Sequence, residues 1–324
     1  MKRLAIIIFA CIAVMACKKD SGISQVRIAY FPNITHAQAL VMKGQGILEN
    51  KLKGKGISVK WRAFNAGPSE IEALFAGEID IGYIGPVPAV SGYVQSEGDL
   101  RIIAGASNGG STLVVKKEGG INSVADLSGK IIAVPQFGNT QHLSLLNILN
   151  ANKLKPQTNG GTVNVVQSSN ADIVNLMDQN RIDAAFVPEP WGSIMELKYN
   201  ATVLLEDNSS TAVVIVTKDF LNKHRGIVEM FIEAHKEATL YINENQPAKE
   251  IINDQIAEVT QNKIDADILE SAFKRLEITE KIHSKSIMNF AKISADEKFI
   301  LKLPEKNIID NSFLKKRDLD EFDD

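Results

Sequence analysis

The sequence is poor in the residue types on which several classes of function depend. Its 324 residues include only 2 cysteines, Cys11 and Cys17, and 6% aromatic residues. Two cysteines cannot form a disulfide framework, and so few aromatic side chains argue against a platform for stacking nucleic-acid bases. Lysine and arginine (36) do not outnumber aspartate and glutamate (39), so the net charge of −3 provides no basic excess for a phosphate backbone.

Long hydrophobic runs are also missing, because no run reaches the roughly 20 residues of a membrane-spanning helix. The composition, with 44% hydrophobic and 23% charged residues, is nevertheless that of a globular protein. A chain of this length is expected to form about two domains.

The first seventeen residues have the features of a bacterial lipoprotein signal. Lys2 and Arg3 precede a short apolar run, Leu4 to Val14, and small residues then lead to Cys17. We expect Cys17 to be lipidated and to tether the protein to a membrane of the cell envelope, on the extracytoplasmic side. A buried strand with a chance cysteine is the alternative. Cleavage before Cys17 would leave no free thiol and, because Lys2 and Arg3 are lost, a side-chain charge of −5 instead of −3.

Strands and helices alternate twice in the same order along the chain. Strands are predicted at 26–30, 57–64 and 79–84, and again at 130–134, 163–166 and 182–187. In the first series, a capping box of Ser69 and Glu72 predicts where a helix begins. Such alternation is typical of parallel, right-handed βαβ units, so the sequence predicts an α/β protein with two similar lobes.

Residue identities repeat along with this pattern. Residues 78–84 match residues 181–187, and Asn33-x-x-His36 matches Asn139-x-x-His142 directly after a strand. Two matches in the same order favour two similar lobes over chance convergence.

Two further runs, Thr112 to Val115 and Thr211 to Thr217, predict an outward and a return crossing between the lobes. The expected organisation is a signal peptide at 1–17, a tether at 18–25, the first part of lobe 1 at 26–115, lobe 2 at 116–210, and the completion of lobe 1 with C-terminal helices at 211–324. Ligands of open α/β sheets bind outside the carboxyl ends of the strands. The cleft between the lobes is therefore the predicted binding site.

The segments that follow the predicted strands resemble those of the substrate-binding lipoproteins of ABC importers for nitrate, taurine and aliphatic sulfonates. The matching segments are 30–37 (YFPNITHA), 77–82 (GEIDIG) with Gly85-Pro86, 126–130 (DLSGK), 136–140 (QFGNT) and 188–191 (PEPW). The resemblance implies a type II periplasmic-binding fold, in which two lobes, each a sheet flanked by helices, are joined by two crossings. It also implies a receptor without catalysis that closes on a small oxyanion-bearing ligand and delivers it to a permease served by an ATPase. We expect a monomer that uses no cofactor or metal and binds no nucleic acid.

The candidate ligand-binding residues lie where these segments lead into helices. They are Asn33, Thr35, His36, Gly85, Pro86, Asn139, Thr140, Glu189 and Trp191. Helix N-termini present unpaired N–H groups and a partial positive charge, which suit a sulfonate or phosphate group. Asn33, Thr35, Asn139 and Thr140 would add donors, or would only cap their helices. His36 and His142 are either packed residues or ligand contacts, and nothing in their spacing indicates a zinc site.

Glu189 and Trp191 belong to the most distinctive motif, in which two prolines stiffen the exit from a strand. Trp191 would form a wall against the organic part of the ligand, or would pack in the core or hinge. Glu189 would repel an anion, so it either pairs with a cationic ligand group, as in taurine, or makes an interlobe contact.

Two other functions remain open. One is the same transport role for a thiamine-precursor pyrimidine or a phosphonate. The other is an enzyme on the same fold, such as a pyrimidine-precursor synthase or a menaquinone-pathway enzyme. Against the enzyme, the sequence has no His-Glu-x-x-His motif, and Gly44-Gln45-Gly46 lacks the third glycine of a dinucleotide fingerprint.

Overall fold

The computed structural model describes residues 22–314, so the expected signal peptide and the lipidated Cys17 lie outside it. It contains two β-sheets flanked by helices. The strands are β1 (Gln25–Tyr30), β2 (Ser58–Ala63), β3 (Ile81–Ile84), β4 (Leu100–Gly109), β5 (Ser111–Lys116), β6 (Ile131–Val134), β7 (Asn164–Gln167), β8 (Ala184–Pro188), β9 (Ala201–Asp207), β10 (Ser210–Thr217) and β11 (Leu276–Ile278). The α-helices are α1 (Ala37–Gln45), α2 (Ile47–Lys53), α3 (Gly67–Phe75), α4 (Pro86–Gln95), α5 (Thr140–Ala151), α6 (Asn170–Asp178), α7 (Trp191–Lys198), α8 (Lys218–Lys223), α9 (Arg225–Glu244), α10 (Ala248–Thr260), α11 (Ala266–Lys274) and α12 (Ser284–Asp296). Within residues 22–314, no helix has the length and apolar character needed to cross a bilayer.

Each sheet combines parallel βαβ units with antiparallel neighbours. The first sheet has the order β11-β4-β10-β3-β1-β2, in which β1 is parallel to β2 and β3. The second has the order β7-β6-β8-β5-β9, in which β6 is parallel to β7 and β8. We call the first sheet with its helices lobe 1 and the second sheet with α5, α6 and α7 lobe 2. The predicted two-lobed α/β architecture is confirmed.

The chain crosses between the lobes at turns and not at the β-branched runs. Residues 112–115 lie inside β5, which pairs with β8 and β9 of lobe 2, so the first crossing is at Gly109 and Gly110. Residues 211–217 lie inside β10 of the first sheet, which places the return at 208–209. The physical reason is that β-branched residues favour paired strands. A change of direction is easiest at glycines with positive φ, and Gly109 and Gly110 of the first crossing both have a φ of +72°.

The C-terminal helices complete the core of lobe 1. On α9, Phe231, Ala234 and Ala238 are buried, and on α11, Ile268 and Leu269 are buried in the same hydrophobic cluster as β1 and β3. These apolar stripes therefore pack against the first sheet.

The capping box predicted at Ser69 is not the start of a helix. Helix α3 begins two residues earlier, with Ala66 as its N-cap, and the Ser69 hydroxyl donates to the Ala66 carbonyl at 2.9 Å. Pro68 explains the earlier start, because the first helical turn is where a missing N–H costs no hydrogen bond. Since alanine offers no capping side chain, the N–H groups of Gly67 and Ser69 have no partner in the described part of the chain.

Candidate functional site

One cavity of about 20 Å³ lies between the lobes, outside the carboxyl ends of the parallel strands. It is lined by Phe31, Asn33, Thr35, His36, Asn65, Ala66, Gly85, Pro88 and Thr211 of lobe 1 and by Pro135, Asn139, Thr140, Gln141, Asn170 and Pro188 of lobe 2. Small-molecule sites usually have volumes of about 300–1,000 Å³, so in this arrangement of the lobes the cavity of about 20 Å³ admits only a very small solute, and a larger one requires the lobes to move apart.

Four helices, two from each lobe, begin at this cavity. It is lined by the N-cap residues Ala66 of α3, Gly85 of α4 and Asn139 of α5, and by the first residue of α6, Asn170. Each helix N-terminus carries roughly half a positive charge on its unpaired N–H groups. Among the described residues that line the cavity, none is an aspartate, glutamate, lysine or arginine. The arrangement can therefore hold a small anion by dipoles and neutral donors.

Asn139 and Thr140 have roles in the structure besides any contact with a ligand. The Asn139 Oδ1 accepts the His142 N–H at 2.8 Å, which caps α5, while the Asn139 Nδ2 donates to Gln141 Oε1 at 3.2 Å. The Thr140 Oγ1 accepts the Val87 N–H of α4 at 3.4 Å, a bond between the lobes. Gly85 faces Thr140 so closely that a Cβ at this position would overlap the threonine hydroxyl.

Asn33 immediately precedes a short 3₁₀ helix, Ile34–His36, which contains Thr35, and both residues lie on the lobe 1 side of the cavity. Asn33 does not cap this helix with its side chain; its Oδ1 accepts the indole N–H of Trp191 at 2.8 Å instead. Thr35 is buried, and no residue between 22 and 314 forms a hydrogen bond with its hydroxyl. Thr35 is therefore an available donor at the cavity.

His36 lines the cavity as a neutral side chain. Its Nδ1 accepts the Phe31 N–H at 3.1 Å, and its ring stacks on Phe31 with 4.4 Å between the ring centroids. Burial lowers the pKa of His36 to about 3. Since the neutral ring accepts at Nδ1, it carries its proton at Nε2 and can donate it to a ligand.

His142 repeats the local structure of His36 in lobe 2 without reaching the cavity. Its Nδ1 accepts the Gly138 N–H at 3.0 Å, and burial lowers its pKa to about 4. The Asn-x-x-His match thus marks the same loop-holding hydrogen bond in both lobes.

The structure does not bring Pro86, Glu189 and Trp191 to the cavity wall. Glu189 is fully buried: its Oε2 accepts the Ser193 N–H at 3.0 Å, and its Oε1 lies 3.2 Å from the Arg275 guanidinium. Burial raises the pKa of Glu189, against the opposite effects of Ser193 and Arg275. Of the two alternatives for Glu189, the structure shows the interlobe contact. Trp191 donates to Asn33 and lines a separate groove beside α10 and α11.

Arg275 of lobe 1 joins three carboxylates of lobe 2. It lies between α11 and β11, and its Nη1, Nη2 and Nε bind Glu189 (3.2 Å), Glu196 (2.7 Å) and Glu206 (2.8 Å). Its carbonyl oxygen also packs against Gly109, at the first crossing. The sequence left an interlobe contact of Glu189 open but gave no sign of the other members, Arg275, Glu196 and Glu206, because they are scattered along the chain.

Several further cavity residues were not predicted. They are Phe31, Asn65, Ala66, Pro88, Pro135, Gln141, Asn170, Pro188 and Thr211. Most of them lie within a few residues of the end of a parallel strand. The loops that follow the predicted strands could therefore have indicated these cavity residues.

Residues 19–256 match the sequence model of the NMT1-like family. The chain belongs to the NMT1-like family. A Bacillus subtilis (strain 168) protein assigned to the binding of aliphatic sulfonates is 25% identical over 337 residues, which cover 98% of this chain and 97% of that protein. The taurine-binding periplasmic protein of Escherichia coli (strain K12) is 33% identical over 190 residues, covering 56% of this chain and 57% of that protein.

Solved structures of related architecture confirm the expected fold. The alkanesulfonate-binding protein SsuA from Xanthomonas axonopodis pv. citri, bound to MOPS, matches with a TM-score of 0.75 at 19% identity and covers 90% of this chain and 99% of that chain. The periplasmic nitrate-binding protein NrtA from Synechocystis PCC 6803 matches with a TM-score of 0.68 at 12% identity, covering 86% and 82%. This NMT1-like protein therefore has the two-lobed fold of periplasmic binding proteins.

Proposed function

We propose that the protein is the solute-binding component of an ABC importer and binds a small oxyanion-bearing ligand, such as an aliphatic sulfonate, taurine or a nitrate-like anion, between its lobes. The observation that carries this proposal is the convergence of four helix N-termini on one cavity in which the described lining residues have no formal charge. The relatives named for sulfonate and taurine binding support the choice of ligand class. Closure around the ligand would prepare it for delivery to a membrane permease.

The energies available are sufficient for such a ligand. A partly buried helix terminus contributes up to about 2 kcal/mol to the binding of an anion. Each hydrogen bond to a charged group contributes about 1.5–3 kcal/mol. Several such contacts together can supply the roughly 8 kcal/mol of micromolar binding in addition to the cost of lost translational and rotational freedom.

The proposal includes binding without catalysis. The cavity lining within residues 22–314 contains no carboxylate, thiol or amine side chain. Its titratable group is His36, which is neutral and has its Nδ1 occupied by the Phe31 N–H. The site thus has donors that hold a ligand and no base placed to activate one.

Titration calorimetry with ethanesulfonate, taurine, nitrate, ethylphosphonate and a hydroxymethylpyrimidine tests the proposed ligand class. We expect micromolar binding of at least one sulfonate or nitrate, and weaker binding of the phosphonate and the pyrimidine. Binding of the pyrimidine or the phosphonate alone would replace the proposed ligand class, and no binding of any sulfonate or nitrate would overturn it.

We also propose that Cys17 carries a lipid that holds the protein at the extracytoplasmic face of a membrane. This rests on the sequence pattern before Cys17, which lies outside the described residues. Cys17→Ser should move the protein from the detergent phase to the aqueous phase in a detergent-partition assay, because stable anchoring requires attached acyl chains. Equal partitioning of wild type and variant would contradict the anchor.

A further inference from the structure

Asn170 has a buried amide that the protein itself does not satisfy. It is the first residue of α6, lines the cavity and is only 4% exposed. Its Oδ1 is fully enclosed without a hydrogen-bond partner, and no described residue bonds to its Nδ2. The large majority of buried side-chain polar atoms have a partner, so an orphaned amide at a ligand cavity indicates that the ligand supplies one.

No structural role accounts for this amide. The N-terminus of α6 is already capped by Ser169, whose Oγ accepts the Asp172 N–H at 3.3 Å. Asn139, at the start of α5, differs in that both ends of its amide are hydrogen-bonded within lobe 2.

The chemistry of the cavity limits which functional group of a ligand can contact Asn170. The helix N-termini, the Thr35 hydroxyl and the His36 Nε2–H are donors, and they suit the oxygens of an anion. The Asn170 Nδ2 is one more donor for the anion, whereas its Oδ1 is an acceptor and suits a donor on another part of the same ligand. An ammonium group there would be buried without a counter-charge, because the described lining residues include no carboxylate. A hydroxyl group needs only the single acceptor that Asn170 provides.

We infer that Asn170 is a specificity-determining residue that accepts a hydrogen bond from a hydroxyl group on the oxyanion ligand. It makes the site selective for hydroxyalkanesulfonates over aminoalkanesulfonates and simple alkanesulfonates. This inference rests on the proposed function and names its substrate class.

Three sulfonates of nearly equal size test the inference: 2-hydroxyethanesulfonate, taurine and propane-1-sulfonate. By titration calorimetry on the full-length protein, we expect the hydroxy compound to bind roughly tenfold more tightly than propane-1-sulfonate, as one net hydrogen bond provides. Taurine should bind more weakly than both. If the protein binds sulfonates without a preference for the hydroxyl, the inference is overturned and the proposed function stands. If it binds none of the three sulfonates and none of the anions tested above, both are overturned.

Substitution of Asn170 separates a ligand contact from a structural role. Asn170→Ala should bring the affinity ratio of the hydroxy compound to propane-1-sulfonate close to one. The melting temperature of the ligand-free protein should not fall, because an unsatisfied buried group is removed. A structural residue would instead lower the melting temperature and weaken all three ligands equally. A wild-type ratio in Asn170→Ala would overturn the inference.

Two more variants complete the test. Asn170→Asp keeps the shape of the side chain and adds a counter-charge for ammonium, so the preference should shift towards taurine. Asn175→Ala is the matched control, since Asn175 is exposed on the same helix and does not line the cavity. The control should keep the wild-type ratio. An unchanged preference in Asn170→Asp would count against contact between residue 170 and the ligand.

Discussion

At the scale of single residues, the least expected side chain is Glu70 on α3. It is completely buried, and neither carboxyl oxygen has a partner among residues 22–314. It occupies the space over Gly82 of β3, where any Cβ would overlap its Oε1. Burial raises the pKa of Glu70 well above its ordinary value of 4.5, so folding favours the protonated, neutral form of this carboxyl.

Glu70→Met should stabilise the protein by about 1–3 kcal/mol at pH 7, because it removes an unsatisfied buried polar group. The unfolded chain releases the Glu70 proton near pH 4.5 while the folded state keeps it, so wild-type stability falls as the pH rises above 4.5. The advantage of the variant should therefore be larger at pH 7 than at pH 4 in urea unfolding. Glu72→Met, at an exposed position of the same helix, is the control with little expected change. A less stable Glu70→Met, or a gain independent of pH, would refute this account.

The hydroxyl of Thr140 accepts the Val87 N–H of the other lobe at 3.4 Å. This interlobe contact can be tested separately from helix capping. Thr140→Val keeps the shape and removes the acceptor, so the closed state loses one interlobe hydrogen bond. Ligand affinity should fall roughly three- to tenfold. The melting temperature should change little, since Asn139 caps α5. Calorimetry and melting curves measure both quantities, with the exposed Thr202→Val as control. Unchanged affinity would remove Thr140 from the closing contacts.

At the scale of elements, the link between α11, α7 and β9 depends on Arg275. Its three carboxylate partners come from lobe 2, and Glu189 among them is fully buried while Arg275 is 13% exposed. A buried ion pair contributes little in net terms, but removal of one partner leaves a buried charge uncompensated. The cluster therefore holds the lobes together near the crossing at Gly109.

Arg275→Met should lower the free energy of unfolding by about 3–5 kcal/mol. Without the guanidinium, the pKa of Glu189 rises further above 4.5, so the loss should be larger at pH 8 than at pH 5. Urea unfolding at the two pH values measures it. Arg225→Met provides the contrast, because its ion pair with Glu229 is half exposed and is expected to contribute less than about 1 kcal/mol. Equal losses in the two variants would show that the Arg275 cluster has no special role.

At the scale of the whole molecule, direct contacts between the lobes indicate a closed arrangement. The Ile34 N–H donates to the Glu189 carbonyl at 3.2 Å, and Trp191 donates to Asn33. A buried apolar cluster also joins α4 and α12 of lobe 1 to α5 of lobe 2 through Val87, Leu143, Leu146, Phe290 and Ile293.

Ligand binding between the lobes should shift the population towards this closed arrangement. We expect small-angle scattering to give a smaller radius of gyration with a saturating ligand than without it. Saturation is established first by calorimetry on the same sample. An unchanged radius at measured saturation would indicate a cleft that does not hinge.

The sequence by itself determined the features carried by residues close together in the chain. The alternation of strands and helices, the duplicated Asn-x-x-His segment and the Asn139 cap all depend on local periodicity and on hydrogen bonds within a few residues. They were sufficient to predict two α/β lobes and to find Asn33, Thr35, His36, Asn139 and Thr140 beside the cavity.

Only the tertiary structure decided the contacts between distant residues. Asn33 meets Trp191 158 positions away, and Glu189 meets Arg275 86 positions away, so neither partner has a local signal. The positions of the crossings depended on which strands pair in each sheet. Residues 112–115 fit a paired strand as well as they fit a crossing, so the sequence did not distinguish the two. The orphaned amide of Asn170 is likewise a property of packing, because a side chain lacks a partner only when the surrounding chain has been folded around it.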